Sequence, residues 1–172
     1  MHIAYTMAPG RGDTDLLLHR VAHRLVAEGF RPAGTAQINT ERGDSGPCDM
    51  DVVVLPSGPT IRISQSLGAA ARGCRLDPGA LEQAVALVQA RLRGSDVLIV
   101  NKFGKHEAEG RGFRPLIAEA LSLGLPVLVG LNALNAQAFE TFSGGMAERL
   151  APEEDALHGW LKARLCEVSA PA

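Results

Sequence analysis

The chain has 172 residues, 46% of them hydrophobic and 21% charged, with a formal net charge of −2. That is the composition of an ordinary globular chain and the length of one domain with a sizeable core. The near-neutral charge supplies no basic field for nucleic acid, and 4% aromatic residues are too few for base-stacking platforms. No apolar run approaches the about 20 residues of a membrane span, so no membrane partner is expected. The opening MHIAYTMAPG lacks the basic start, long apolar segment and cleavage site of a signal peptide. Three cysteines without CxxC spacing point to a reducing cytoplasm and no disulfide framework.

Residues 2–7, HIAYTM, predict a buried strand, and Ala8 to Thr14 a glycine-rich turn. Leu16, Leu17, Leu18, Val21, Ala22, Leu25 and Val26 recur at helical spacing, which predicts a helix over 14–28 that stops at Gly29. A second strand fits 32–38. Strand, glycine loop, helix and strand in that order open a nucleotide-binding α/β domain. The polar segment 39–47 reads as loop. Strands over 51–55 and 60–64, joined by Ser57-Gly58, predict an antiparallel hairpin inserted at the sheet edge. Residues 65–77 read as a loop of small residues. Asp77 as N-cap and Pro78 at the first helical position then start a helix carrying Leu81, Val85, Leu87, Val88 and Leu92, which ends at Gly94.

Val97 to Val100 form a short apolar run that suits a buried parallel strand. A helix over 113–123, a strand over 126–131, a helix over 132–142 broken at Ser143-Gly144-Gly145, and a last helix over 152–165 complete the pattern. The alternation predicts a single α/β domain over 1–172: a three-layer, mostly parallel sheet with one inserted hairpin. Trp160 reads as a core anchor of the last helix. His19 and His23, spaced i,i+4 without a following Glu, read as an exposed polar face.

Two loops carry candidate chemistry. Ligands of open α/β sheets bind beyond the carboxyl ends of the strands, and the strand at 97–100 runs directly into Asn101, Lys102, Gly104, Lys105, His106, Glu107, Glu109, Arg111 and Arg114. The first loop, Gly10-Arg11-Gly12-Asp13-Thr14, invites comparison with a P-loop, in which backbone N–H groups cradle phosphate, a lysine neutralises it and a hydroxyl meets Mg²⁺. Aligned on Gly12 and Thr14, Met7 falls at the first glycine and Asp13 at the lysine, a reversal of charge. The two glycines and Thr14 are equally the parts of a plain turn and helix cap. Cys48 and Cys74, each followed by an acid within three residues, are candidate ligands of a soft metal if the two segments meet, a reactive or redox pair, or else packed small thiols.

Segment 6–16 resembles the degenerate end of the P-loop NTPase superfamily. The central stretch resembles the second acidic motif of small bacterial and archaeal nucleoside-triphosphatases, with Asn101-Lys102 standing where Asp-Glu would stand. From about Ile3 to Phe142 the chain resembles a bacterial family of domains of unknown function, number 2478, through CDMDV, ISQSLG, ARGCRLDPGALE, NKFGKHEAEGRGFRP and PVLVG. That resemblance implies a cytoplasmic P-loop-like protein associated with molybdenum uptake by gene context, and no established activity. A nucleotide, with Mg²⁺ as its companion, is then the expected ligand. Lys102 or Lys105 would meet phosphate, and Glu107, Glu109 or His106 would do any catalysis. The same cations with Arg111 and Arg114 also suit molybdate, sulfate or phosphate, and all these charges also suit an internal salt-bridge network. The expectations are therefore a slow NTPase or nucleotide-binding protein, a non-catalytic molybdate-linked regulator or accessory protein, or a homo-oligomerising module with vestigial site residues.

Overall fold

The structure is a computed structural model that describes residues 2–10, 12–40, 49–65 and 75–169. Arg11, Cys48, Cys74 and most of the two loops expected over 39–47 and 65–77 lie outside the described residues. The elements in chain order are β1 (Ile3–Thr6), α1 (Asp13–Ala27), β2 (Pro32–Thr40), β3 (Asp49–Val54), β4 (Thr60–Arg62), α2 (Pro78–Leu92) and β5 (Val97–Phe103). There follow α3 (Lys105–Ala108), α4 (Arg114–Ser122), β6 (Val127–Leu131), a 3-10 turn (Ala133–Asn135), α5 (Ala136–Ser143), β7 (Glu148–Leu150) and α6 (Glu154–Ser169).

Among the described residues seven strands form one sheet in the order β4-β3-β2-β5-β6-β1-β7. The pairs β2–β5, β5–β6, β6–β1 and β1–β7 are parallel, while β2–β3 and β3–β4 are antiparallel. The expected hairpin therefore sits at one edge of a mostly parallel sheet.

Strand alternation sorts the core into two layers of helices. Leu98, Val100, Ile3, Val127 and Val129 pack on one face against Val88 and Leu92 of α2, Leu116 and Ile117 of α4, and Phe139 of α5. Val97, Ile99, Ala4 and Leu128 pack on the other against Leu18, Val21 and Leu25 of α1 and Leu157, Trp160 and Leu161 of α6. Trp160 is buried there, as expected of an anchor. Asp77 caps α2, its Oδ1 accepting from the N–H groups of Gly79 (2.9 Å) and Ala80 (3.1 Å).

Some elements differ from the sequence pattern. The apolar stripe of α1 is narrower than its periodicity, since Leu16 and Val26 face solvent. Asn39 and Thr40 extend β2, because they pair with Met50 and Asp49. β5 does not stop at Val100 but continues through Asn101 and Lys102 to Phe103. β7 adds an edge strand whose Glu148 and Arg149 are exposed, so it carries no hydrophobic signal. A four-residue helix, α3, also appears within the charged loop.

Candidate functional site

Because β1, β6 and β5 are adjacent and parallel, their carboxyl ends form one rim, and both candidate loops leave from it. At the first loop, the Ala8 N–H donates to Thr14 Oγ1 (2.9 Å). The hydroxyl that a P-loop offers to Mg²⁺ is here turned to the loop backbone. Gly12 is the N-cap of α1 and supplies no side-chain cap. The first turn instead carries Asp13 and Asp15, acids that stabilise the positive end of the helix. The Asp13 carboxylate lies so close over Gly10 that a Cβ there would collide with it. The loop's own anion thus rests against the glycine backbone.

Behind the loop lies a buried polar network that spans three elements. Asp15 Oδ1 accepts from Asn101 Nδ2 (2.9 Å) and Asp15 Oδ2 from Gln37 Nε2 (3.1 Å). The Gln37 N–H donates to Asn101 Oδ1 (3.0 Å), and Asn101 Nδ2 also reaches Gln37 Oε1 (3.3 Å). Lys102 Nζ completes the group at 3.6 Å from Asp15 Oδ1. Asp15, Gln37 and Asn101 are all buried, so each polar atom that found no partner would cost about 1–3 kcal/mol.

A β-bulge delivers this network. Val100 pairs with Val129 and Phe103 with Leu131, so three steps along β5 match two along β6. One extra residue re-aims the side chains after it. Phe103 returns to the face of Val100, packing edge-on against Phe139 with ring centroids 5.1 Å apart. Asn101 and Lys102, between them, both reach α1.

The second loop is held by two carboxylates. Inside, Glu107 Oε2 accepts from the Gly104 N–H (2.9 Å) and Oε1 from the Phe113 N–H (3.2 Å). Outside, Glu82 Oε1 meets His106 Nε2 (2.9 Å) and accepts from the Gly112 N–H (3.0 Å). Gly112 has φ 58°, and a Cβ there would strike Glu107 Oε1, so both backbone conformation and close approach require glycine. Burial pushes the Glu107 carboxyl above its ordinary value, against the opposing pull of its backbone N–H bonds. Glu107 is thus a staple of the loop, with both oxygens committed to backbone.

The candidate cations are divided rather than gathered. Lys102 faces Asp15. Lys105 (3.8 Å) and Arg111 both engage Glu109, and the hydrogen bond from Arg111, above all, holds Glu109 below the ordinary carboxylate range. Arg114 lies over the Phe142 ring at 4.9 Å and donates to the Ala108 carbonyl. His106 is buried beside a cavity of about 570 Å³ between α2 and α4, which Glu82, Val85, Arg111, Leu116 and Glu119 also line. That cavity is on the sheet face away from α1.

Asp15 and Gln37 escape a reading of the sequence. Their partners are distant along the chain, and the available signals are slight: an acid directly after Thr14, and an amide in a strand of small residues. Asp49 and Arg75, the residues following Cys48 and Cys74, are 3.7 Å apart. Among the described residues no group of three His, Cys, Asp or Glu is arranged to hold a metal. Among the described residues, the buried Thr14, Asp15 and Asn101 oxygens of the rim already accept hydrogen bonds from the chain itself, which makes them poor ligands for a protein-held Mg²⁺ and leaves Asp13 as the exposed acid of the first loop.

The solved structure of a human cancer-related nucleoside triphosphatase has this fold, with a TM-score of 0.61 and 22% identity, each chain being covered over 99% of its length. A protein of Bradyrhizobium diazoefficiens, molybdenum import ATP-binding protein ModC 2, is 36% identical over 149 residues, or 86% of this chain. The match spans only 17% of that longer protein. Among the described residues no helix is long and apolar enough to cross a membrane. The model of one protein family, described as protein of unknown function (DUF2478), matches residues 3–160, and the chain belongs to that family.

Proposed function

We propose that the chain binds a nucleotide or a related phosphate-bearing anion at the rim between the β1–α1 loop and the end of β5, with Lys102 as its cation. The supporting observation is the bulge in β5, which brings Lys102 to the first turn of α1. An ammonium there can replace the lysine that the loop lacks. The Lys102 side chain is 42% exposed, so it is able to turn from Asp15 towards a ligand. The likeness of fold to a nucleoside triphosphatase supports the same ligand class. Hydrolysis is slow on this reading: the loop lysine and the strand-end acid are replaced by Asp13 and Asn101, and Glu107 is committed to its loop, so charge stabilisation of a phosphoryl transition state is reduced. Such a ligand suits a chain of the cytoplasm.

A second reading, a non-catalytic accessory protein that binds molybdate or a similar oxyanion, is favoured by one observation: the 36% identical segment lies within a protein named for molybdenum import. Calorimetric titration with ATP, GTP and molybdate separates the two. Heat with a nucleotide supports the first and heat with molybdate alone the second. A flat trace with all three overturns both.

A further inference from the structure

We infer that the site takes its anion free of a protein-held divalent cation, so that the preferred ligand is the uncomplexed anion. The inference rests on the ligand reading just proposed and concerns the charge that the ligand must bring with it.

Mg²⁺ needs hard oxygen donors in near-octahedral array. Among the described residues, the buried oxygens beside the first loop already accept hydrogen bonds: Thr14 Oγ1 from Ala8, Asn101 Oδ1 from Gln37, and the two Asp15 oxygens from the Asn101 and Gln37 amides. These donors present the positive ends of N–H dipoles towards any ion that approached Asp15. Until a ligand draws it away, the Lys102 ammonium also sets a full positive charge 3.6 Å from Oδ1. Asn101 contributes a neutral amide at the place where a carboxylate would compensate a divalent charge. The positive charge beside the phosphate is therefore built into the chain.

Asp13 is an acid of the first loop itself. It is exposed and lies over Gly10, in the space where a phosphate would approach the loop backbone. There it opposes the anion by like charge and has to swing away when the ligand enters. An alternative role, holding a metal together with the phosphates, predicts the opposite behaviour, and a conservative variant separates the two.

The test is calorimetry of the intact chain with ATP, ADP and inorganic phosphate, each in Mg²⁺ and in EDTA. ATP affinity in EDTA is expected to equal or exceed that in Mg²⁺. Asp13→Asn is expected to bind as tightly as wild type or tighter, by up to about fivefold, the scale of a partly exposed charge pair. ATP binding that needs Mg²⁺ overturns the inference but leaves the ligand reading intact, as does an Asp13→Asn variant that loses affinity only in Mg²⁺. No heat with any of the three in either buffer overturns the ligand reading and the inference with it.

Discussion

Asn101 of β5 and Asp15 of α1 are joined by a 2.9 Å hydrogen bond from Nδ2 to Oδ1, an amide facing an acid inside the protein. The pairing explains why an amide suits this strand end. A carboxylate at 101 could still accept from the Gln37 N–H but would have nothing to donate to Asp15, and two buried acids would confront each other. Asn101→Asp is therefore expected to destabilise the fold by about 3 kcal/mol at neutral pH, in the range for an uncompensated buried charge. The loss should shrink in acid as the introduced carboxyl protonates. Urea denaturation at two pH values checks this. A variant as stable as wild type at neutral pH would mean that Asp15 is not a fixed counter-charge.

Lys102 and Lys105 lie on the same loop in sequence, and as a cationic pair both would be expected to hold the ligand. Their surroundings separate them. Lys102 meets buried Asp15, whereas the Lys105 side chain is 84% exposed beside Glu109. Lys102→Ala should weaken anion binding by about 1.5–3 kcal/mol, the range for hydrogen bonds to charged groups. Lys105→Ala should change it by less than about 1 kcal/mol, as for an exposed ion pair. Paired titrations with thermal melts decide. Normal binding by Lys102→Ala together with a much lower melting temperature would make that lysine structural.

Much of the architecture is written locally. The glycine loop between an apolar run and an apolar helix, the Asp77-Pro78 start of α2 and the hairpin at the sheet edge each depend on neighbours in sequence. The site depends on something else. An all-apolar run such as Val97 to Val100 has no alternation for a bulge to interrupt, so the turn of Lys102 towards α1 leaves no mark in the pattern. The Asp15–Asn101 bond joins residues 86 apart, and chain order alone does not bring them together. Glu107 looks like one more loop charge because the Gly104 and Phe113 N–H groups it accepts from are invisible in side-chain identity. Charge-rich loops advertise chemistry, and in this one part of the charge is spent on holding the loop.

The two staples of that loop should be separable. Glu82 is half exposed, and Glu82→Ala should cost only about 1 kcal/mol, as for an ordinary hydrogen-bonded group near solvent. Its effect should be local. The Gly112 amide loses its acceptor, while those of Gly104 and Phe113 keep Glu107. Amide hydrogen exchange is expected to quicken at Gly112 and stay slow at the other two. Uniform quickening through 104–113 would show that the outer carboxylate holds the whole loop.

Glu107 gives the loop a pH signature of definite sign. Burial raises its folded-state pKa above the ordinary glutamate value, outweighing the backbone N–H bonds that pull the other way. The folded chain then binds this proton more tightly than the unfolded chain. The associated stability is complete below the unfolded value and is lost as pH rises through the folded one. Glu107→Gln cannot titrate. It also leaves one N–H facing an amide –NH₂ instead of an acceptor, a cost of about 1–3 kcal/mol. The stability advantage of wild type over Glu107→Gln should therefore be largest in mild acid and decline towards neutrality, by at most about 1.4 kcal/mol per pH unit for one proton. Denaturant titrations of both proteins between pH 4 and 7 measure the difference, and other carboxylates cancel because both chains share them. An advantage that grows with pH would mean that the Gly104 and Phe113 N–H groups stabilise the charged form more than burial penalises it, and Glu107 would then be a conventional buried anion with a lowered pKa.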